Sequence, residues 1–174
     1  GGVVHGGGNL VKTAARRLTL SATNAWGKTL VNEGVLQFAR PASLYNGTQG
    51  NWTPANITVE SGAVLAFNMG GTGEFTTANL DTILDSAHMG GSAAGAGLKS
   101  GAYIGIDTSN GNVTYNNTIT NLSSGNILGL VKLGAGTLTL VQGPSERWKT
   151  LTYTGGTIVD AGELDLNSAN ENNG

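Results

Sequence analysis

Three acidic residues in the middle of the chain are the first candidates for chemistry. Asp81 and Asp85 are four residues apart, the spacing that places two side chains on one face of a helix, and Glu74 lies nearby. A pair of carboxyl groups is what an enzyme that cleaves polysaccharides uses as acid and base. No lysine or arginine accompanies the three residues in the sequence. We therefore favour a solvated helix face over an active site, and we expect that the protein is not an enzyme.

Metal and cofactor sites are not indicated either. His5 and His88 lie far apart in glycine-rich segments, without the spacing of metal ligands, and the chain has no cysteine. The stretches 71–73 and 134–136 contain two glycines each, but neither has the full glycine spacing and the following lysine of a phosphate-binding loop. These glycines are typical of sharp corners between strands, so we expect neither a metal nor a cofactor.

Basic and aromatic side chains beside turns are the candidates for contacts with a partner. The basic ones, which could touch an acidic glycan or a neighbouring subunit or simply remain solvated, are Arg16, Arg17, Arg147 and Lys149. The aromatic ones, which could pack against the flank of the domain, anchor a subunit contact or stack on a sugar, are Trp26, Tyr45, Trp52 and Trp148.

Composition narrows the class of protein that presents these residues. Glycine accounts for 29 of 174 residues, without a three-residue period, so it marks corners. Charged residues are 11% and the net charge is −2, which argues against a nucleic-acid surface or a polybasic membrane patch. No apolar run approaches the roughly 20 residues of a membrane span. Polarity comes mainly from threonine, asparagine and serine, which favours stacked strands.

A repeated pattern of strand, corner and strand organises the chain. Leu-Val-Lys begins at residues 10 and 130, and Leu-Thr-Leu follows at residues 18 and 138. Thr-Leu-Val and Thr-Ile-Val then begin at residues 29 and 157. A related unit occupies residues 57–67, around a glycine. We expect the two full copies to occupy equivalent places in successive windings of one coiled ribbon.

Other segments are predicted from periodicity and turn residues. Residues 76–87 have apolar side chains at helical spacing after a threonine that can cap a helix. The remaining predicted elements are loops over 39–56 and 88–101 and strands over 102–106, 113–115 and 118–122.

The repeated residues resemble the autotransporter-associated β-strand repeat, which is found in passenger regions of secreted bacterial proteins. The resemblance covers residues 9–38 and 129–166. It implies a right-handed parallel β-helix, an extracellular or cell-surface location, and a structural, stalk or adhesive role. The family repeat carries no catalytic residues, so none are transferred to this chain.

The predicted fold is all-β: a right-handed parallel β-helix, or β-solenoid, with one short helix and long glycine-rich loops. Its parts are a glycine-rich lead over 1–8, a single solenoid domain over 9–166 and a polar tail over 167–174. Coils of roughly 20 to 25 residues would give about six to eight windings. Both ends of such a stack expose strand edges, and no strong cap is visible in the sequence.

The predicted function follows from these open edges. We expect a secreted structural solenoid that builds a cell-surface stalk or extracellular fibre by end-to-end self-association. Its main partner is then the protein itself, as a homopolymer or stacked repeats. The alternative is an adhesin module that binds a glycan or a host surface, and a polysaccharide lyase or hydrolase ranks third. Neither a nucleic-acid partner nor a membrane span is expected.

Overall fold

The computed structural model describes residues 3–91, 95–142 and 151–168, whose strands form three sheets in which every strand pair is parallel. The first sheet contains, in spatial order, β1 (Leu10–Lys12), β3 (Thr29–Val31), β5 (Ile57–Val59) and β7 (Gly97–Leu98). The second contains β12 (Thr157–Val159), β10 (Leu128–Leu133), β8 (Ala102–Asp107), β6 (Val64–Asn68), β4 (Val35–Phe38) and β2 (Arg17–Leu20). The third contains β13 (Glu163–Ser168), β11 (Thr137–Gln142) and β9 (Val113–Tyr115).

The connectivity shows that the chain winds in coils. From β1 to β6 and again from β8 to β11, each strand pairs with the strand two positions later in the chain, so the chain leaves a sheet, crosses the next one and returns one rung further along. The second sheet contributes one strand to each coil and has six strands, which agrees with the predicted number of windings. The coarse fold prediction is confirmed, because the described residues form a solenoid-like stack of parallel sheets.

A continuous core runs through the coils because like residues stack on one another. In the second sheet Leu36 is opposite Leu65, Leu65 is opposite Ile104, and Ile104 is opposite Leu130. All four side chains are completely buried. Burying a side chain of this size stabilises the fold by about 1.5 to 3 kcal/mol, so each row of the stack is a large contribution.

The predicted helix is confirmed as α1 (Thr77–Leu84). Thr76 is its N-cap: its hydroxyl accepts a hydrogen bond from the backbone N–H of Asn79 at 3.2 Å. Leu80 and Ile83 bury one side of the helix against the stack. In the part of the chain that the structure describes, no helix is long and apolar enough to cross a membrane.

Two local predictions were wrong. The strand expected over 118–122 is reduced to a single bridge between Ile119 and Leu151, because side-chain hydrogen bonds from neighbouring polar residues replace the ladder there. The loop expected over 88–101 contains the two-residue strand β7, and Met89 within it is completely buried.

The two copies of the repeat do not occupy equivalent places, which corrects the prediction from the sequence. The first copy places Leu-Val-Lys in the first sheet and Leu-Thr-Leu in the second, as β1 and β2. The second copy places the same motifs in the second and third sheets, as β10 and β11. The pairing inside each copy is the same, but the whole unit is displaced by one sheet around the stack.

Candidate functional site

A buried lysine closes the corner of each repeat copy. Lys132 is completely buried at the end of β10, and its Nζ donates to the carbonyl oxygens of Leu133 at 2.8 Å and Gly134 at 2.8 Å, and to that of Ala161 at 3.0 Å. The first two carbonyls belong to the same corner, and the third belongs to the corner of the next coil. Burial lowers the pKa of Lys132, and the charge of Asp107 partly opposes this shift.

Lys12 does the same in the first copy. It is 7% exposed at the end of β1, and its Nζ donates to the carbonyl oxygen of Ala14 in its own corner and to that of Glu33 in the next coil at 3.0 Å. Ala14 corresponds to Gly134 in the second copy, and Glu33 corresponds to Ala161. No role is predicted for these lysines from the sequence, although their recurrence at the third position of both Leu-Val-Lys motifs was the available signal.

The corners that receive these lysines approach each other too closely for a side chain. Gly162 has φ +67°, and a Cβ on it would lie 2.4 Å from the carbonyl oxygen of Gly136. Gly34 has φ +69° in the first copy, and its Cβ would lie 2.3 Å from the carbonyl oxygen of Ala14. Only glycine adopts this conformation at such short distances without strain. The lysine and the glycine therefore act together to hold one corner against the next.

The outer face of the second sheet carries a polar network around Asp107, which is 2% exposed. Its Oδ2 accepts a hydrogen bond from Gln37 Nε2 at 2.7 Å and lies 3.4 Å from Arg17 Nη1, while its Oδ1 accepts the backbone N–H of Ser109 at 2.8 Å. Burial raises the pKa of Asp107, but the hydrogen bonds from Ser109 and Gln37 and the charge of Arg17 outweigh it, so the pKa lies below its usual value. The network stabilises a charged carboxylate.

Arg17 also shows that the second sheet is strongly coiled. Its Nη2 lies 3.8 Å from Asp160 Oδ2, although Arg17 belongs to β2 at one edge of the sheet and Asp160 follows β12 at the other. A flat sheet of six strands would keep these edges about 24 Å apart. The outer face is therefore concave, and a second apolar cluster is buried inside it, which contains Val64, Ala66, Val131 and Leu133. Arg17 is thus engaged within its own chain.

The three acidic candidates are all engaged in hydrogen bonds, and those of Asp81 connect α1 to β9 and the residues after it. Asp81 accepts hydrogen bonds from Tyr115 Oη and from Asn117 Nδ2, each at 2.7 Å. Burial and the hydrogen bond to Asp81 raise the pKa of Tyr115. Asp85 Oδ1 lies 2.9 Å from His88 Nδ1, and this hydrogen bond lowers the pKa of Asp85.

Glu74 has a similar structural setting. Its Oε2 accepts the backbone N–H of Gly71 at 2.8 Å, and its Oε1 accepts a hydrogen bond from Asn110 Nδ2 at 2.5 Å. The three carboxylates therefore have separate local partners. The other histidine, His5, forms a parallel bridge with Ala25. Among the described residues no group of three or more histidine, cysteine or acidic side chains is arranged to hold a metal ion.

Three of the four aromatic candidates lie in the core instead of at a loop surface. Trp52 is completely buried, and its Nε1 donates to the carbonyl oxygen of Leu44 at 3.2 Å. Trp26 and Tyr45 are 8% and 5% exposed, and both bond the hydroxyl of Thr29, at 2.8 and 2.9 Å. Three short 3-10 turns, within residues 41–51, fold this loop inward. Packing accounts for these rings, which present no stacking platform in this chain.

The remaining contact candidates are divided between the surface and the undescribed residues. Arg16 is exposed at the corner between β1 and β2. Arg147, Trp148 and Lys149 lie outside the described residues.

Two surface depressions are large enough to accommodate a ligand or a segment of a partner. One, of about 400 Å³, lies between residues 69–77 and residues 112–114, and its lining includes Met69, Phe75 and Val113 as well as glycine, threonine and asparagine around Glu74. The other, of about 380 Å³, lies at the end of the stack beside β12 and β13 and is lined by Leu151, Tyr153, Leu164 and Leu166 among others. The second depression is a part of the core that the described residues leave uncovered.

Comparison with known proteins identifies the repeat. The model of the passenger-associated-transport-repeat family matches the chain at residues 10–38 and 130–166, which are the two copies with the lysine-closed corners. No curated protein and no solved structure matches the chain with statistical significance. The family is one of structural repeats in autotransporter passengers, which suggests a surface or extracellular location. The predicted resemblance is confirmed: the model of the passenger-associated-transport repeat matches the chain at both copies, and this repeat implies a domain associated with autotransporter passengers.

Proposed function

We propose that this domain is a secreted structural solenoid that builds a cell-surface stalk or an extracellular fibre by end-to-end self-association. The observation that carries the proposal is the stacking of both repeat copies, through their lysine-closed corners, into sheets that are parallel throughout the described residues. Such a stack is a mechanical element, because each coil is fastened only to its neighbours. Its winding is right-handed in this proposal, as crossovers between parallel strands are in about 98% of cases.

The polar groups also favour a structural role. The carboxylates that would serve an enzyme are occupied by hydrogen bonds between loop, helix and strand. Asp107 is held charged by donors from three different coils. Such contacts stabilise the stack and leave few groups free to act on a substrate.

The ends of the stack provide the means of association. At one end β1 and β2 each have one strand partner in the described residues, and at the other end the same holds for β12 and β13. Val159 and Leu166 are 49% and 54% exposed at that second end. Unpaired strand edges beside exposed apolar side chains favour the addition of another strand.

Sedimentation velocity over a range of protein concentrations, together with negative-stain microscopy, tests this proposal. We expect a concentration-dependent series of oligomers and particles joined at their ends. A strictly monomeric protein at high concentration would show that the domain does not self-associate.

A second candidate function is glycan binding by an adhesin module. The depression of about 400 Å³ beside Glu74 favours it, because hydroxyl and amide groups there surround a fixed carboxylate. A glycan array tests this alternative. Binding that disappears in Glu74→Gln would support it, and the absence of any signal would remove it.

A further inference from the structure

We propose that the two ends of the stack fit each other in one register, in which the first unit of a second copy covers the last unit of this one. The first unit is β1, the corner 13–16 and β2. The last unit is β12, the corner 160–162 and β13. The inference rests on the proposed self-association and adds the register and the residues in contact.

The register follows from the way in which units already stack inside the chain. The unit of β3 and β4 lies between the first unit and the unit of β5 and β6, and pairs with both through the same rows of residues. The last unit is the counterpart of β3 and β4 in the second repeat copy. It therefore offers on its uncovered side the same kind of edge that β5 and β6 cover inside the chain.

The first unit has the sequence needed to occupy that edge. It shares Leu-Val-Lys and Leu-Thr-Leu with β10 and β11, which cover the opposite side of the last unit. Leu138 and Leu140 are opposite Leu164 and Leu166 there. In the proposed contact Leu18 and Leu20 of the second copy take the corresponding places on the other side.

The exposed apolar residues of the two ends match in this register. Val11, 49% exposed, lies opposite Ile158, 48% exposed, as Val131 does inside the chain. Leu20 lies opposite Leu166, which is 54% exposed. The contact therefore removes from water the apolar side chains that each end leaves exposed, and this burial is its main driving force.

The charges of the two ends are also complementary. The corner of the first unit carries Arg16, which is exposed. The last unit carries Asp160, Glu163 and Asp165 at and beside its corner. In the proposed register Arg17 lies opposite Glu163, and Arg16 lies one residue away, opposite Gly162. Arg17 is already engaged with Asp107 and Asp160 on the outer face, so Arg16 is the charge that turns to Glu163. Opposite charges orient the two ends before contact and disfavour association between like ends.

A competing register keeps each strand in its own sheet and places β2 of the second copy on β12. Following the rows of the second sheet, Thr19 then lies opposite Ile158, and Leu18 lies opposite Thr157. This arrangement pairs one strand instead of two and leaves Leu164 and Leu166 uncovered. The proposed register instead requires the second copy to be rotated by one sheet, which is the displacement already seen between the two repeat copies.

Disulfide trapping distinguishes the two registers, because the chain has no cysteine of its own. Val11→Cys is mixed with Ile158→Cys, one of the two carrying a size tag, and the matched control is Thr19→Cys mixed with Ile158→Cys. Using two single variants excludes a disulfide within one chain. Neighbouring parallel strands bring paired Cα atoms to about 4.8 Å, within the range that a disulfide spans. We expect about tenfold more heterodimer from the first mixture, as a preferred register requires.

Oligomers that form without the Val11–Ile158 disulfide, or an equal or larger yield with Thr19→Cys, would overturn the register and leave self-association intact. Absence of oligomers would overturn both.

Charge reversal gives an independent test in the chain without cysteines. We expect Arg16→Glu and Glu163→Arg each to weaken association about tenfold, and the double variant to recover it. A double variant as weak as either single one would contradict the Arg16–Glu163 contact.

Discussion

Replacing Lys132 with methionine tests whether the repeat lysine holds successive corners together. Methionine has a similar volume, so the substitution removes the ammonium group without opening a cavity. Three carbonyl oxygens lose their donor, one of them in the next coil. Hydrogen bonds from a charged donor contribute about 1.5 to 3 kcal/mol each, and relief from burying a charge offsets part of that loss. We expect a destabilisation of about 2 to 4 kcal/mol, a large part of the total for one domain.

Urea unfolding followed by tryptophan fluorescence measures this effect, because Trp26 and Trp52 are buried in the stack. With an m-value of about 1 to 3 kcal/mol per molar, the midpoint should fall by about 1 to 2 M while m remains unchanged. Lys28→Met is the matched control, since Lys28 is exposed. Its effect should remain within about 0.5 kcal/mol.

Equal unfolding midpoints for Lys132→Met and Lys28→Met would refute the reasoning. Hydrogen exchange gives the local test. Loss of the link between coils should increase exchange first at the corner 160–162, which contains the acceptor Ala161, and only later in the strands. Uniform faster exchange throughout the stack would mean that Lys132 acts through general packing instead of through that corner.

Three further predictions use the same unfolding assay. Lys12→Met should cost about 1 to 3 kcal/mol, less than the change in the second copy, because two carbonyl oxygens lose a donor instead of three; an equal or larger cost would contradict this count. Gly162→Ala and Gly62→Ala both introduce strain at positive φ, but only Gly162 has a backbone oxygen 2.4 Å from the new Cβ. Gly162→Ala should therefore be clearly the more destabilising substitution. Equal unfolding midpoints would argue against a close approach of the two corners. Asp107 has a lowered pKa in the folded state, so its contribution to stability is present above its unfolded pKa, near 3.8, and is lost as the pH falls through the folded value. Asp107→Asn should therefore be less stable than the parent protein at neutral pH and lose less stability on acidification. Unfolding midpoints measured across this pH range will show both effects.

The local elements of the fold were predictable because their signals are short in range. Alternating apolar residues identified the strands of both repeat copies, and a capping threonine followed by helical spacing identified α1. The parallel arrangement was implied by the resemblance to the passenger repeat. The displacement of the second copy by one sheet was not predictable in the same way. It depends on how far the chain travels around the stack between residues 38 and 130, and loops of unequal length conceal that distance.

The candidate contacts were less predictable than the strands. Tyr45 and Trp52 lie among turn residues in the sequence, and turns usually lie at the surface. Here 3-10 turns carry both rings inward, where hydrogen bonds satisfy their polar atoms. Short turns have no apolar period to reveal such burial. The side chain of Arg17 was recognised as a possible contact, but its partners in the described residues, Asp107 and Asp160, are distant in the sequence and meet it only because the second sheet coils.

The repeat lysine makes the same contacts in both copies, although the second copy is displaced by one sheet. Lys12 and Lys132 need only the carbonyl groups of their own corner and of the next one, and both sets of acceptors belong to the repeat itself. These hydrogen bonds therefore form within the repeat and do not depend on which two sheets its strands extend. In both copies the adjoining corner has a glycine where the backbones meet, Gly34 in the first and Gly162 in the second.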